Sequence, residues 1–133
     1  MSAFDRCHPA LVARVKALMA DFALLQDGSS LLVTCGHRSV AEQARLYAQG
    51  RTTPGPIVTQ LDGVTQKSRH NLDPAEAVDV AVLVGGKVSW DVSRYLPIGM
   101  LARRYALEWG GDWPRFKDYP HLQLPTKEVT RAA

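Results

Sequence analysis

The chain has 133 residues, 46% of them hydrophobic and 22% charged, with a formal charge of +3 and a pI near 9.1. That is the size of one ordinary globular domain, apolar enough to bury its own core. No run approaches the roughly 18 apolar residues of a membrane helix, and Met1 to Pro9 lacks the basic-then-apolar pattern of a secretory signal, so a cytoplasmic product without stable membrane insertion is expected.

From Pro9 to Gln26, apolar residues recur at Leu11, Val15, Leu18, Phe22 and Leu25, in steps of four and three, which lays them along one stripe of an amphipathic helix. His8, just before it, reads as a cap or surface residue. Asp27 to Ser30 breaks the helix, and Leu31 to Thr34 is a short β-leaning run entering the core as a strand. Ser39 followed by Glu42 has the spacing of a reciprocal cap, so a second helix spans Ser39 to Gln49 and stops near Gly50. Arg51 to Ser68 holds two prolines, two glycines and four threonines with little periodicity, which makes it a long loop of a kind that often serves function.

Ala77 to Val84 is a strand of valine, alanine and leucine carrying one acid, Asp79, and Gly85-Gly86 turns it into a hairpin with Lys87 to Trp90. A third helix is expected from Ser93 to Trp109, burying Ile98, Leu101, Tyr105 and Trp109, with Gly110-Gly111 ending it. His121 to Leu124 is the last strand, and Pro125 to Ala133 a loosely held tail. The elements predict a single α+β domain over 1–133, with its core at about 8–125 and a flexible tail at 126–133. Three helices pack on a small, largely antiparallel sheet.

Against this core-forming background stand three potential metal ligands at the edges of predicted strands or loops: His70, Asp79 and His121. Catalytic zinc takes three protein ligands from His, Asp or Glu and keeps a fourth position for water. Asp79 is the most telling, because a carboxylate inside Ala-Val-Asp-Val-Ala-Val must be paired, hydrogen-bonded or metal-bound. The plainer alternative is a strand-edge aspartate facing solvent, and a lone histidine is more often a surface or satisfied core residue. Cys7 and Cys35 lie far apart without CxxC spacing and read as free thiols, and Cys35 and His37 as structural residues. Trp90, Trp109 and Trp113 read as core by default, with Trp113 able to form a groove wall. Net positive charge suits an anionic partner. The basic residues are scattered without a Lys/Arg block or interleaved aromatics, so nucleic acid is not the partner expected.

Three segments, Ser68-Arg69-His70, Ala77-Val78-Asp79 and Asp118-Tyr119-Pro120-His121, together resemble the zinc D-Ala-D-Ala carboxypeptidase and L-alanyl-D-glutamate endopeptidase family, which includes phage endolysins. Gly36-His37-Arg38-Ser39, Glu42-Gln43 and Gln49-Gly50-Arg51-Thr52 resemble its substrate-side helix and loop. The likeness covers Leu31 to Leu124. One departure stands out: eight residues separate His70 from Asp79, whereas the family's usual connection is two shorter and carries a glycine.

The resemblance implies Zn2+ held by His70, Asp79 and His121 on the open face of the sheet. It also implies a proton-shuttling carboxylate at Asp118, with Glu108 and Asp112 as alternatives. Arg38 would anchor a substrate carboxylate or steady the oxyanion, and Gln43 and Ser68 would contribute to substrate binding. The expected partner is peptidoglycan, cleaved by a monomeric endolysin that stays in the cytoplasm until released to the wall. Two other readings stay open here: a D-Ala-D-Ala carboxypeptidase or dipeptidase, and a non-catalytic zinc-binding wall module.

Overall fold

The computed structural model describes residues 2–25, 28–62 and 68–125, so the predicted tail, residues 63–67 of the long loop and the end of the first predicted helix lie outside the described residues. Helix α1 (Pro9–Leu25) begins where His8 Nδ1 accepts the Ala10 amide at 3.1 Å, a capping contact. Its stripe of Leu11, Val15, Leu18 and Phe22 is fully buried, while Leu25, at the last residue, is half exposed. Helix α2 (Val40–Ala48) carries the predicted reciprocal cap: Ser39 Oγ accepts the Glu42 amide at 3.1 Å, and Glu42 Oε1 accepts the Ser39 amide at 3.3 Å.

Strand β2 (Ala77–Val84) is the hub of a five-stranded antiparallel sheet. One edge pairs with β1 (Ser29–Cys35) along its length. The other edge is shared: β3 (Lys87–Ser89) takes Val82 to Val84, and β5 (His121–Gln123) takes Ala77 to Asp79. Successive strand residues face opposite sides. Val78, Val80, Val82 and Leu122 therefore point into the core with α1 and the third helix, α3 (Leu96–Arg104), which leaves Asp79 and His121 on the face away from those helices. The hairpin through Gly85-Gly86 forms as predicted, with both glycines in the left-handed region.

The third helix departs from prediction. A 3₁₀ turn (Val92–Arg94) precedes α3 (Leu96–Arg104), and Trp109 sits on a separate short strand, β4 (Glu108–Trp109), paired with β5. The helix stops because Ala106 adopts φ 55°. The Leu107 amide then reaches Ala102 O at 2.8 Å and the Ala106 amide reaches Arg103 O at 3.3 Å. Those are the two bonds of a Schellman cap, with alanine where glycine is usual. Replacing Ala106 by glycine relieves the left-handed strain, partly offset by backbone entropy, so Ala106→Gly is expected to stabilise the protein by about 0.5–1 kcal/mol in denaturant unfolding. Trp90 also departs from its core expectation: it is 64% exposed and stacks on Tyr95, with ring centres 6.1 Å apart.

Candidate metal centre and active-site groove

Strand register sets out half of the site before any side chain is considered. Cys35 of β1, Asp79 of β2 and His121 of β5 are lateral neighbours across three strands. His70 comes from a 3₁₀ turn (Arg69–Asn71) capped by Ser68, whose Oγ accepts the His70 amide at 3.2 Å. That turn is bound to the segment before α2: the Arg38 amide donates to His70 O at 2.8 Å, and Asn71 Nδ2 to Arg38 O at 2.9 Å.

The longer His70-to-Asp79 connection is absorbed by pairing with the N-terminal segment. His8 and Ala75 amides donate to Ala75 O and Arg6 O at 2.8 and 2.7 Å respectively, and Arg6 pairs with Asp73 at 2.5 Å. Arg69 pairs with Glu76 at 2.6 Å, closing the base of the connection. The extra residues thus bulge toward the N-terminal segment while the strand still presents Asp79.

The three side chains meet around one point. Asp79 Oδ1 lies 3.2 Å from His70 Nε2 and 3.3 Å from His121 Nδ1, and the three donor atoms fall within 4.8 Å of one another. Both histidines are buried, at 2% and 5% exposure, so these donors are not ordinary surface groups. The nitrogens facing away have acceptors of their own, Gly36 O for His70 Nδ1 at 2.7 Å and Gln123 Oε1 for His121 Nε2 at 2.8 Å. A carbonyl only accepts, so His70 can keep a proton on Nδ1 while Nε2 either donates to Asp79 or gives its lone pair to a metal. Two imidazoles and a carboxylate, oriented from behind and converging, are a donor set suited to zinc.

Electrostatics agree with that reading. Burial opposes the charge on Asp79, but hydrogen bonds from His121 and His70 outweigh it and hold its carboxyl well below the usual carboxylate range. For His70 burial also opposes charge, yet the bonds to Asp79 and Cys35 prevail and its pKa is pushed up to about 9. In the metal-free protein the pair is therefore His70⁺ with Asp79⁻. A group whose pKa is raised on folding stabilises the fold fully below its unfolded value of 6.5, and that contribution is lost as pH rises through about 9. Metal must displace the same proton. Metal-free protein is therefore expected to lose thermal stability between pH 6.5 and 9, while zinc affinity rises up to about tenfold per pH unit over that window. Calorimetry of the chelated protein and competition titrations with a chromogenic chelator read the two trends.

Around the centre runs a groove of about 460 Å³. Val58 to Leu61 of the long loop, with Leu46, line it together with Trp113, Arg115 and Phe116, and Arg38, Ser68 and Asp118 also reach it. Trp113 packs its ring 5.0 Å from that of His121, which gives the expected groove wall. Asp118 Oδ2 stands 3.8 Å from His121 Nδ1. Burial and the neighbouring charge of Asp79 push the Asp118 carboxyl up, against the pull of His121, His70 and Arg38. Its backbone is held by Gly110, whose carbonyl accepts the Asp118 amide at 3.0 Å. A Cβ on Gly110 would come 2.2 Å from Asp118 O, so glycine is required there by close approach and not, as the sequence suggested, to end a helix.

Arg38 Nη2 lies 3.4 Å from Asp79 Oδ2, leaving Oδ1 to the histidines, and its Nη1 donates to Gln43 Oε1 at 2.8 Å. Gln43 is fully buried beneath the groove, and its amide nitrogen donates to Leu61 O at 2.7 Å and Thr59 Oγ1 at 3.1 Å. It thereby ties α2 to the long loop. Asp112 is exposed and pairs with Arg103. Glu108 is outside the groove lining and accepts from Gln123 Nε2 at 3.0 Å. Two residues near the centre are not among the expected site residues: in the sequence Cys35 reads as structural, and Gln123 carries no signal. Cys35 reaches it through strand register, with its thiol 3.6 Å from Arg38 Nη2, and Gln123 sits behind His121.

A converging His-Asp-His donor set in a groove with an acid beside it, on this sheet, defines a metallopeptidase. A family model described as D-alanyl-D-alanine carboxypeptidase matches residues 62–124. The chain is 39% identical over 127 residues to the peptidoglycan L-alanyl-D-glutamate endopeptidase CwlK of Bacillus subtilis (strain 168), spanning 88% of this chain and 72% of that one. Among solved structures, the L-Ala D-Glu endopeptidase ChiX of Serratia marcescens matches with a TM-score of 0.69 at 32% identity, over 95% of this chain and 86% of ChiX. The vancomycin resistance D,D-pentapeptidase VanY, solved with Zn(II), shares the fold with a TM-score of 0.62 at 15% identity, over 94% and 76% of the two chains. The chain belongs to the D-alanyl-D-alanine carboxypeptidase family of M15 peptidases.

Proposed function

We propose that the chain is a zinc-dependent peptidoglycan endopeptidase that hydrolyses the L-alanyl-D-glutamate bond of stem peptides, with His70, Asp79 and His121 as metal ligands. The observation that carries this is the convergence of the three donors on one point, with Asp118 beside them in an open groove. Endopeptidase is favoured over carboxypeptidase because two relatives above 30% identity, CwlK and ChiX, are both named for L-alanyl-D-glutamate cleavage.

Zinc bound there supplies a Lewis acid that polarises the scissile carbonyl and acidifies water. Asp118 Oδ2 takes the proton of the attacking water and returns it to the leaving amine, a task suited by a carboxyl whose pKa is raised. Arg38 fixes Asp79 Oδ2, and its remaining N–H groups donate to a substrate carboxylate or the oxyanion. Ser68 holds the His70 turn and meets substrate at the groove wall, while Gln43 acts on substrate indirectly, through Arg38 and the groove residues Thr59 and Leu61.

The protein works as a monomer and is held in the cytoplasm until released to the wall. Its assignment as a phage endolysin rests on the sequence resemblance alone, since the relatives described above are bacterial. Among the described residues no helix is long and apolar enough to cross a membrane. The test is mass spectrometry of purified peptidoglycan fragments after incubation with and without chelator. Chelator-sensitive release of stem peptides beginning at D-glutamate is expected. Release of free D-alanine would replace the endopeptidase with a carboxypeptidase, and absence of cleavage with zinc bound would leave a non-catalytic module.

A further inference from the structure

The two histidines of the centre are oriented in different ways. His70 leans on a backbone carbonyl, Gly36 O, which cannot do anything but accept. His121 leans on Gln123, whose amide presents an acceptor one way round and a donor the other. With the donor end forward, Gln123 would force the His121 proton onto Nδ1, the nitrogen that faces Asp79, and remove the lone pair a metal needs.

Strand register decides the matter. His121 and Gln123 are two apart on β5 and so share a face, and Glu108 of β4 is the direct cross-strand partner of Gln123. The Glu108 carboxylate accepts only, and it stands 3.0 Å from Gln123 Nε2. It therefore holds the amide nitrogen toward itself and turns Oε1 toward His121, 2.8 Å away. With a metal on Nδ1 the ring keeps its proton on Nε2, where Gln123 Oε1 accepts it; without one, the Asp79 carboxylate 3.3 Å from Nδ1 competes for that proton. Glu108 lies outside the groove, so none of this requires it to meet substrate.

We infer that Glu108 is a positioning residue that turns Gln123 to accept from His121 Nε2–H, and so favours Nδ1 as the metal donor. This rests on the proposed metal role of the triad and is independent of which peptide bond is cleaved. Second-shell partners of metal-bound histidines typically contribute about 10–100-fold in metal affinity. A charge exchange separates this role from a merely structural one. In the double variant Glu108→Gln/Gln123→Glu, a carboxylate at position 123 accepts directly from His121 Nε2–H whatever the amide does at 108.

The experiment measures zinc affinity by chelator competition, and the His121 Nε2–H signal and its exchange with solvent by ¹⁵N NMR of the zinc-bound protein. Wild type should take up zinc and show a slowly exchanging His121 Nε2–H. Glu108→Ala should bind zinc about tenfold or more weakly and show a faster-exchanging Nε2–H, with an otherwise unchanged amide spectrum. The exchange variant should recover affinity to within about threefold of wild type, inside the span that second-shell changes cover. Wild-type affinity in Glu108→Ala, a loss that the exchange variant does not recover, or unchanged Nε2–H exchange in Glu108→Ala would each overturn the role of Glu108. Failure of the wild type to take up zinc at all would overturn the metal reading itself, and this inference with it.

Discussion

Asp118→Asn is expected to keep zinc at full stoichiometry and to lower peptidoglycan hydrolysis by about 10²–10⁴-fold, the usual contribution of a positioned acid-base group. Asparagine reproduces the shape of the side chain and cannot take a proton. Asp118 reaches the groove and stands 3.8 Å from His121 Nδ1, outside the three-donor cluster, so its loss leaves the donor set intact. Its carboxyl is also the one in the groove whose pKa is raised, because burial and the Asp79 charge disfavour ionisation there. The alternatives are poorly placed: Asp112 is paired with Arg103 at the surface, and Glu108 is held by Gln123 behind the metal ligand. Metal analysis beside single-turnover hydrolysis reads both halves of the expectation. An undiminished rate would remove Asp118 as the base.

Gly110 has a related bearing on how much of this could be seen in the sequence. Local signals were readable wherever the chemistry is local. The Ser39-Glu42 cap, the apolar stripe of α1, the Ala77–Val84 strand and its glycine turn each declare themselves within a few residues, and each forms. The end of α3 was not readable because alanine, which favours helix, occupies the left-handed capping position at Ala106. The expected helix consequently ran on through Trp109, and Gly110-Gly111 were taken for its terminator. Their tertiary reasons, the Asp118 backbone against Gly110 and the Trp109 ring against Gly111, have no sequence-local trace.

The site shows the same division. Asp79 stands out in the sequence because a lone carboxylate in a valine strand demands a partner, whereas His70 and His121 gain meaning only in combination with it and through the family resemblance. The groups that orient them belong to strand register and loop docking. Gln123 and Glu108 lie fifteen residues apart yet are cross-strand neighbours, and Gln43 looks like a surface residue of a polar helix yet is fully buried under the long loop. Register of this kind is fixed only when β2, β4 and β5 assemble.

Asp79→Ala should have the largest effect of any single change, because one carboxylate serves three partners: His70, His121 and Arg38. Zinc affinity should fall by at least about 10³-fold, since the variant loses the charged ligand and leaves two histidines unaligned. In metal-free protein at pH 6 the variant should also be less stable than wild type by about 3 kcal/mol, the usual consequence of removing one member of a largely buried pair and stranding the other. The difference depends on pH in a stated direction. Raising the pH through about 9 discharges His70 in wild type and removes that part of the advantage, so the gap narrows. On the acid side the Asp79 contribution is full above its unfolded value of 3.8 and is lost only as pH falls through its depressed folded value, so the gap at pH 4 should still be near its size at pH 6. Denaturant unfolding of chelated wild type and variant at pH 4, 6 and 9 measures the three gaps. Asp79→Asn separates charge from packing: it should match alanine in zinc loss and fall short of it in destabilisation. Stoichiometric zinc retained in either variant would take Asp79 out of the ligand set, and a gap that widened at pH 9 would mean that His70 is not the charged partner.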